Sequence, residues 1–329
     1  MLITIIPECR LVQPSNVIKF YDTFVGDSFI LLDYKNFYVR LSVPNNTVHL
    51  EIIYPEDSVI RGKMADFLFR IKNRFYISRF EEIAFGTTYL LEAVFLSFLQ
   101  KDRTLLHASC VVDDNGRALA IAGESGIGKT TLALKLITKG GWKFLSDDIC
   151  FLGRNGEVSL NPRYCVIYPY VVQTNSVYLR NLLRHRSLLD RLHWTILQRR
   201  PFNKTVARYV SPAELLGADK IGSQGRLFRL IYLSKTNTNE ITVSNASSNL
   251  LSKWCASILF SEYNYFFKNY YFFKLSHLPM KGLADIVNRC RIIYREAFDS
   301  VDCKLIRIPS NMKYNAHTIE EVLSRIMWL

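Results

Sequence analysis

Residues 123–130 read Gly123-Glu124-Ser125-Gly126-Ile127-Gly128-Lys129-Thr130. This is the G-x-x-x-x-G-K-[ST] spacing of a phosphate-binding loop. Its glycines let backbone N–H groups turn inward on an anion. Lys129 adds a point charge for the β- and γ-phosphates, and Thr130 offers a hydroxyl to Mg2+. Asp147 and Asp148 suit the same chemistry. They are adjacent carboxylates in an apolar run, one helix and one turn past Lys129, and are costly to bury without a cation or protons. One can hold Mg2+ beside Thr130 while the other accepts a proton from an attacking hydroxyl. A turn or a helix cap is the alternative reading of the pair. His107, upstream, could tune a carboxylate or stabilise charge, or it could be a satisfied core histidine.

The surrounding elements must bring these residues together. Arg117–Ala122 reads as a strand entering the loop and Thr130–Lys139 as the helix leaving it, with its N-terminus facing the phosphates. Gly140-Gly141 stops that helix. Thr104–Val112 is a second strand-like run, joined to the first through Asn115-Gly116, a strong hairpin signal. With that two-residue loop, Val112 pairs with Leu119, Cys110 with Ile121 and His107 with Glu124, so His107 reaches the mouth of the phosphate loop. Trp142–Leu152 reads as a strand interrupted by Asp147-Asp148. Downstream, Ser211-Pro212-Ala213-Glu214 is a capping box. Leu227–Ser234 and Glu240–Ser244 read as a hairpin, Ser247–Tyr263 and Lys281–Phe298 as helices, and Lys304–Ile308 as a strand. A last helix begins near Ala316, capped by Asn315. The aromatics of Tyr263–Phe273 suit core packing better than base stacking.

The chain has 329 residues, 49% apolar and 22% charged, values of a globular protein. Its longest apolar stretch, Tyr89–Leu99, is short and holds Glu92, so no membrane span is expected. The opening residues lack a basic n-region and a cleavage site. Seven cysteines form no metal-binding spacing, and reduced thiols in a cytoplasm are expected. Residues 1–60 alternate apolar and polar around Pro44-Asn45-Asn46, as in an antiparallel meander, and 83–100 read as a helix. The expected organisation is an N-terminal β-rich region with one helix, 1–103, and a phosphate-loop domain, 104–329. The net charge is +13, and the segment 180–208 holds eight basic residues against Asp190 alone. That run is either a solvated helical face or a grip for an anionic partner such as an acidic peptide. Charge alone is thin ground for a nucleic-acid partner.

Three blocks, Leu106-His107-Ala108-Ser109, Ala122–Leu134 and Leu145-Ser146-Asp147-Asp148-Ile149, resemble the HPr kinase/phosphorylase family in order and spacing. The resemblance covers about fifty residues, 104–153. It implies an α/β fold with a mixed, partly antiparallel sheet, of HPr kinase and phosphoenolpyruvate carboxykinase-like type. It also implies ATP or GTP with Mg2+ as cofactors. Gly123–Thr130, with Thr131, would then hold phosphates, and Thr130 and Asp148 the metal. Asp147 would be the general base, His107 its partner, and Lys129 a catalytic charge. Two features depart from the family: Thr131 stands where HPr kinase has Glu, and its downstream Arg-Gly signature has no counterpart. The chain therefore resembles the divergent peptide-serine kinases, among them those acting on lasso-peptide precursors. The substrate implied is a peptide or protein Ser/Thr hydroxyl, and a homo-oligomer is allowed. A kinase of a small hydroxylated metabolite and a nucleotide-gated binding module are the competing readings.

Overall fold

The computed structural model describes residues 2–8, 18–20, 23–33, 38–55, 88–169, 176–184, 186–197, 207–264, 267, 277–279, 281–312 and 316–327. The chain divides into two compact units. One joins Met1–Leu99 with Tyr263–Ile286; the other joins Gln100–Glu262 with Val287–Leu329. The sequence suggested a single cut near 103, without the return of 263–286 to the first unit.

The first unit contains a six-stranded sheet of β1 (Leu2–Glu8), β2 (Ile18–Phe20), β3 (Thr23–Val25), β4 (Phe29–Asp33), β5 (Tyr38–Ser42) and β6 (His49–Pro55), ordered β1-β6-β5-β4-β3-β2. Strands β2 to β6 are the expected antiparallel meander. Strand β1 pairs parallel with β6, so the sheet is mixed. Pro44–Asn46 forms a 3-10 turn, and Asn45 takes the φ of 50° that asparagine tolerates. Residues 88–94 (α1) are helical and continue as a π-helical turn over Phe95–Leu99.

The second unit is built on an eight-stranded mixed sheet. Its strands are β7 (Arg103–Val112), β8 (Arg117–Gly123), β9 (Lys143–Ser146), β10 (Ile149–Gly153), β11 (Glu157–Ser159), β14 (Gln224–Thr236), β15 (Thr242–Asn245) and β16 (Asp302–Pro309). The order is β11-β10-β7-β8-β14-β16-β15, with β9 also on β7. A small ladder joins β12 (Cys165–Ile167) to β13 (Arg208–Val210). The helices are α2 (Lys129–Gly140), α3 (Ser176–Arg184), α4 (Leu188–Leu197), α5 (Pro212–Leu216), α6 (Ser248–Glu262), α7 (Leu283–Phe298) and α8 (Ala316–Met327). Strands β8, β14 and β16 run parallel. β7 and β8 are buried at every position after their first residue, as expected of strands covered on both faces. Leu132, Leu136 and Ile137 of α2 pack with Val111, Ile121, Ile231, Leu233 and Ile306 of the sheet and with Val322 and Leu323 of α8.

Two expectations are corrected. The β7–β8 register ends at Ala108–Ala122 and pairs Val112 with Ala118, one residue off the expected pairing. The loop is longer than Asn115-Gly116. Asp113 Oδ1 accepts from the N–H groups of Asn115 and Arg117, Gly116 N–H donates to Asp113 O, and Gly116 takes φ 77°. That is a turn closed by a left-handed glycine, the three-residue hairpin. In addition, β14 and β15 do not pair with each other. β16 lies between them, parallel to β14 and antiparallel to β15. The burial explains this: Leu305, Ile306 and Ile308 need neighbours on both edges, whereas no residue of β15 is buried, which suits a sheet edge. The capping box at Ser211 forms as expected, with Ser211 Oγ accepting from Glu214 N–H. Asn315 and most of the 264–276 aromatics lie outside the described residues.

Candidate functional site

The phosphate loop leaves β8 at Gly123 and enters α2 at Lys129. Gly123 has φ 141°, and a Cβ there would lie 2.5 Å from Leu233 O, so only glycine fits between β8 and β14. Gly126 and Gly128 take φ 76° and 98°, conformations that L side chains rarely adopt. The space around a Gly126 Cβ is open. The N-cap of α2, Gly128, makes no side-chain capping bond, and the first turn holds no acid. The end of the helix is thus left to an anion: its first N–H groups have no side-chain acceptor among the described residues, and its dipole favours negative charge. Lys129 is buried, and its Nζ donates to Gly123 O (3.0 Å) and Glu124 O (3.1 Å), wrapping the loop around itself. Burial lowers the Lys129 pKa, with Asp148 and Asp147 opposing. Loop, bare helix end and lysine fit a nucleotide's phosphates.

The broken strand runs antiparallel along one edge of β7. Ser146 on β9 pairs with Cys110, and Ile149 on β10 pairs with His107. Asp147-Asp148 therefore fall opposite Ala108-Ser109. The ladder is interrupted there by a tight turn. Ile149 N–H donates to Asp147 O at 2.9 Å, and Asp148 takes φ 66°. A bond from i+2 to i around a positive φ is a γ-turn of the rare, strained kind, which aspartate tolerates better than most residues. Asn161 secures both shoulders of this turn: its N–H donates to Leu145 O (3.0 Å) and its Nδ2 to Ile149 O (3.1 Å).

One carboxylate oxygen joins the strand break to the phosphate loop. Asp147 Oδ1 accepts from Thr130 Oγ1 (2.7 Å) and Ser109 Oγ (2.9 Å). Its Oδ2 has no hydrogen bond among the described residues. Burial raises the Asp147 pKa to about 6, the neighbouring Asp148 adds to this, and the Thr130 and Ser109 bonds oppose it. The Thr130 hydroxyl and the Asp148 carboxylate are oxygen donors of the kind that suits Mg2+.

His107 acts electrostatically with Lys129 of the phosphate loop but makes no hydrogen bond to Asp147. It is buried, neither ring nitrogen has a hydrogen-bond partner among the described residues, and its Nε2 lies 3.9 Å from Glu262 Oε1. Asp147 takes its bonds from Ser109 and Thr130 instead. Burial, then Lys129, pushes the His107 pKa down to about 3, so the ring is neutral. The sequence reading missed four residues: Ser109, Asn161, Arg163 and Glu262. Ser109 could have been found, because it lies two residues from His107 on one strand and so shares its face. Arg163 acts electrostatically on both His107 and Glu262. Glu262, the last residue of α6, has its pKa raised by burial and by Asp148. Neither Arg163 nor Glu262 carries a sequence motif.

In the segment 180–208, Arg180, Arg184 and Arg191 are exposed, whereas Arg208 is buried and paired with Asp190. Arg199, Arg200 and Lys204 lie outside the described residues. No helix among the described residues is long and apolar enough to cross a membrane.

No family model matches the chain. No curated protein sequence matches it either. Among solved structures the chain is similar to the HPr(Ser) kinase/phosphatase from Coxiella burnetii, with 15% identity over 68% of this chain and 96% of that one, at a TM-score of 0.31. The functional reading therefore rests on the site itself, a phosphate loop in a mixed α/β sheet.

Proposed function

We propose that the chain is an HPr-kinase-like phosphotransferase that moves the γ-phosphoryl group of ATP or GTP to a Ser/Thr hydroxyl of a peptide or protein in the cytoplasm. The observation that carries this reading is the Thr130–Asp147 hydrogen bond of 2.7 Å, which ties the phosphate loop to a carboxylate pair. A loop alone would bind a nucleotide; a loop bonded to a base-competent carboxylate is arranged to use one.

In this reading the N–H groups of 123–131 and Lys129 bind the phosphates, and Thr130 and Asp148 hold Mg2+. When bound, the ion neutralises phosphate charge. Asp147 Oδ2, with no hydrogen bond among the described residues, accepts the acceptor's hydroxyl proton as the hydroxyl oxygen bonds to the γ-phosphorus. The bond to the bridging oxygen breaks, and the nucleoside diphosphate departs. Neutral His107 keeps a second positive charge away from Lys129 and leaves the local field to the carboxylates. A ribosomally made precursor peptide of the lasso type is the acceptor class that the sequence resemblance favours.

The test compares wild type with Asp147→Asn on a library of Ser- and Thr-containing peptides, using γ-labelled ATP and Mg2+ with mass-spectrometric detection. Labelled peptides that vanish with Asp147→Asn support the reading. Label on small hydroxylated metabolites alone would assign the acceptor to that class, and unchanged transfer by the variant would remove Asp147 from its role.

A further inference from the structure

Helix α4 is inside out. Among its described side chains the buried ones are Asp190 and Trp194, while Leu188, Leu189, Leu192 and Ile196 are 80%, 53%, 57% and 53% exposed. These four are among only six large apolar side chains exposed among the described residues, so the exposure is concentrated on one ten-residue helix. The spacing makes a stripe: 188, 192 and 196 recur every four residues, and 189 flanks them at three and seven. The inward face is fixed by an ion pair. Arg208 is fully buried, its Nη2 and Nε reach Asp190 Oδ1, and its guanidinium lies 5.3 Å from the Trp194 ring. Rolling the helix to hide its leucines would strip Arg208 of its carboxylate, which is strongly destabilising for a buried pair. The apolar stripe is thus held outward.

The border of the stripe is basic. Arg191 is next to Leu192 and exposed; its guanidinium donates to Arg184 O (2.8 Å) and Arg186 O (3.0 Å), which brings the end of α3 against α4. Exposed Arg184 and Arg180 continue the border along α3. Asp190 is the only acid between Glu157 and Glu214, and it is buried, so no carboxylate of this stretch offsets that charge at the surface.

We infer that the α4 stripe and its arginine border form a docking surface for an acidic amphipathic helix of a polypeptide partner. Leucines on such a helix cover Leu188, Leu192 and Ile196, and its carboxylates meet Arg184 and Arg191. Nucleic acid would satisfy the arginines and leave the leucines wet. Identifying this partner as the phosphoryl acceptor rests on the phosphotransferase reading; the docking surface does not.

The probe is a fluorescein-labelled synthetic helical peptide with leucines at i, i+3, i+4 and i+7 and glutamates flanking that leucine face, followed by fluorescence anisotropy against the full chain. Wild type is expected to bind it. Leu192→Ser/Ile196→Ser should weaken binding at least tenfold at unchanged Tm, and Arg184→Glu should weaken it and flatten its salt dependence. No binding by wild type, or equal binding by all variants, overturns the proposal. So does a stripe whose mutation instead abolishes self-association in sedimentation, or binding to vesicles containing phosphatidylserine. A fluorescent ATP analogue titrated into the same samples separates the two claims. Peptide binding without nucleotide binding leaves the docking surface standing and removes the kinase.

Discussion

Asp147 has two oxygens with different surroundings, and much of its chemistry follows from that. Oδ1 is held by Thr130 and Ser109, while Oδ2 makes no hydrogen bond among the described residues. Asp147→Asn keeps an acceptor for both hydroxyls and removes the base. Phosphotransfer should fall by about 100- to 10,000-fold, the usual worth of a general base, with nucleotide affinity retained in a titration of the same protein. The raised pKa also sets a stability profile. Between the ordinary value of 3.8 and about 6, the folded chain holds a proton on Asp147 that the unfolded chain has lost. Stability conferred by that proton is lost as pH rises through about 6. His107 acts in the opposite sense. Its pKa drops from 6.5 to about 3, so the unfolded chain takes up a proton that the folded chain refuses, and stability falls as pH drops below 6.5. In urea melts of the nucleotide- and metal-free protein, Asp147→Asn should therefore gain stability relative to wild type on going from pH 4 to pH 7. An unchanged difference would mean that Asp147 is not buried as described.

At the scale of elements, the site depends on two places where regular structure is broken. Gly123 lets β8 end against Leu233 O, and Asp148 interrupts the strand between β9 and β10. Gly123→Ala adds a Cβ 2.5 Å from that carbonyl at a φ of 141°. It should cost about 1–3 kcal/mol of backbone strain, read as a lower Tm together with weakened nucleotide binding. Away from the site, Ser211→Ala removes one half of the capping box on α5 and should cost about 1 kcal/mol, leaving nucleotide binding unchanged. These elements were legible to different degrees. The strand–loop–helix around 117–140 could be read from glycine and lysine spacing, because a phosphate loop needs those residue types locally. The β7–β8 register could not: it turns on Asp113, whose side chain adds a residue to the loop by bonding to Asn115 and Arg117. The partner of β15 was also hidden, because sheet order depends on β16, about sixty residues further along.

At the scale of the whole molecule, the site is assembled from segments far apart in sequence. Asn161, Arg163 and Glu262 join residues of the 107–148 stretch. Local spacing could not reveal them, since a lone Glu at the end of a helix has no pattern until the fold brings it to His107. The same holds for α4. Its leucines face outward while Asp190 pairs with buried Arg208, 18 residues further along. Asp190→Ala would leave Arg208 buried without its carboxylate and should destabilise by about 3–5 kcal/mol, a loss measurable by denaturant unfolding of the full chain.

In the proposed function the phosphate loop and Asp147 act together on a polypeptide hydroxyl. This is tested most directly by γ-labelled ATP with Mg2+ and a Ser/Thr peptide library, run side by side on wild type, Lys129→Ala and Asp147→Asn, with nucleotide binding measured on each. Labelled peptides are expected from wild type alone, with nucleotide binding lost in Lys129→Ala and retained in Asp147→Asn. Labelled peptides from Asp147→Asn at the wild-type rate, or no labelled peptide from a wild type that binds nucleotide, would contradict it.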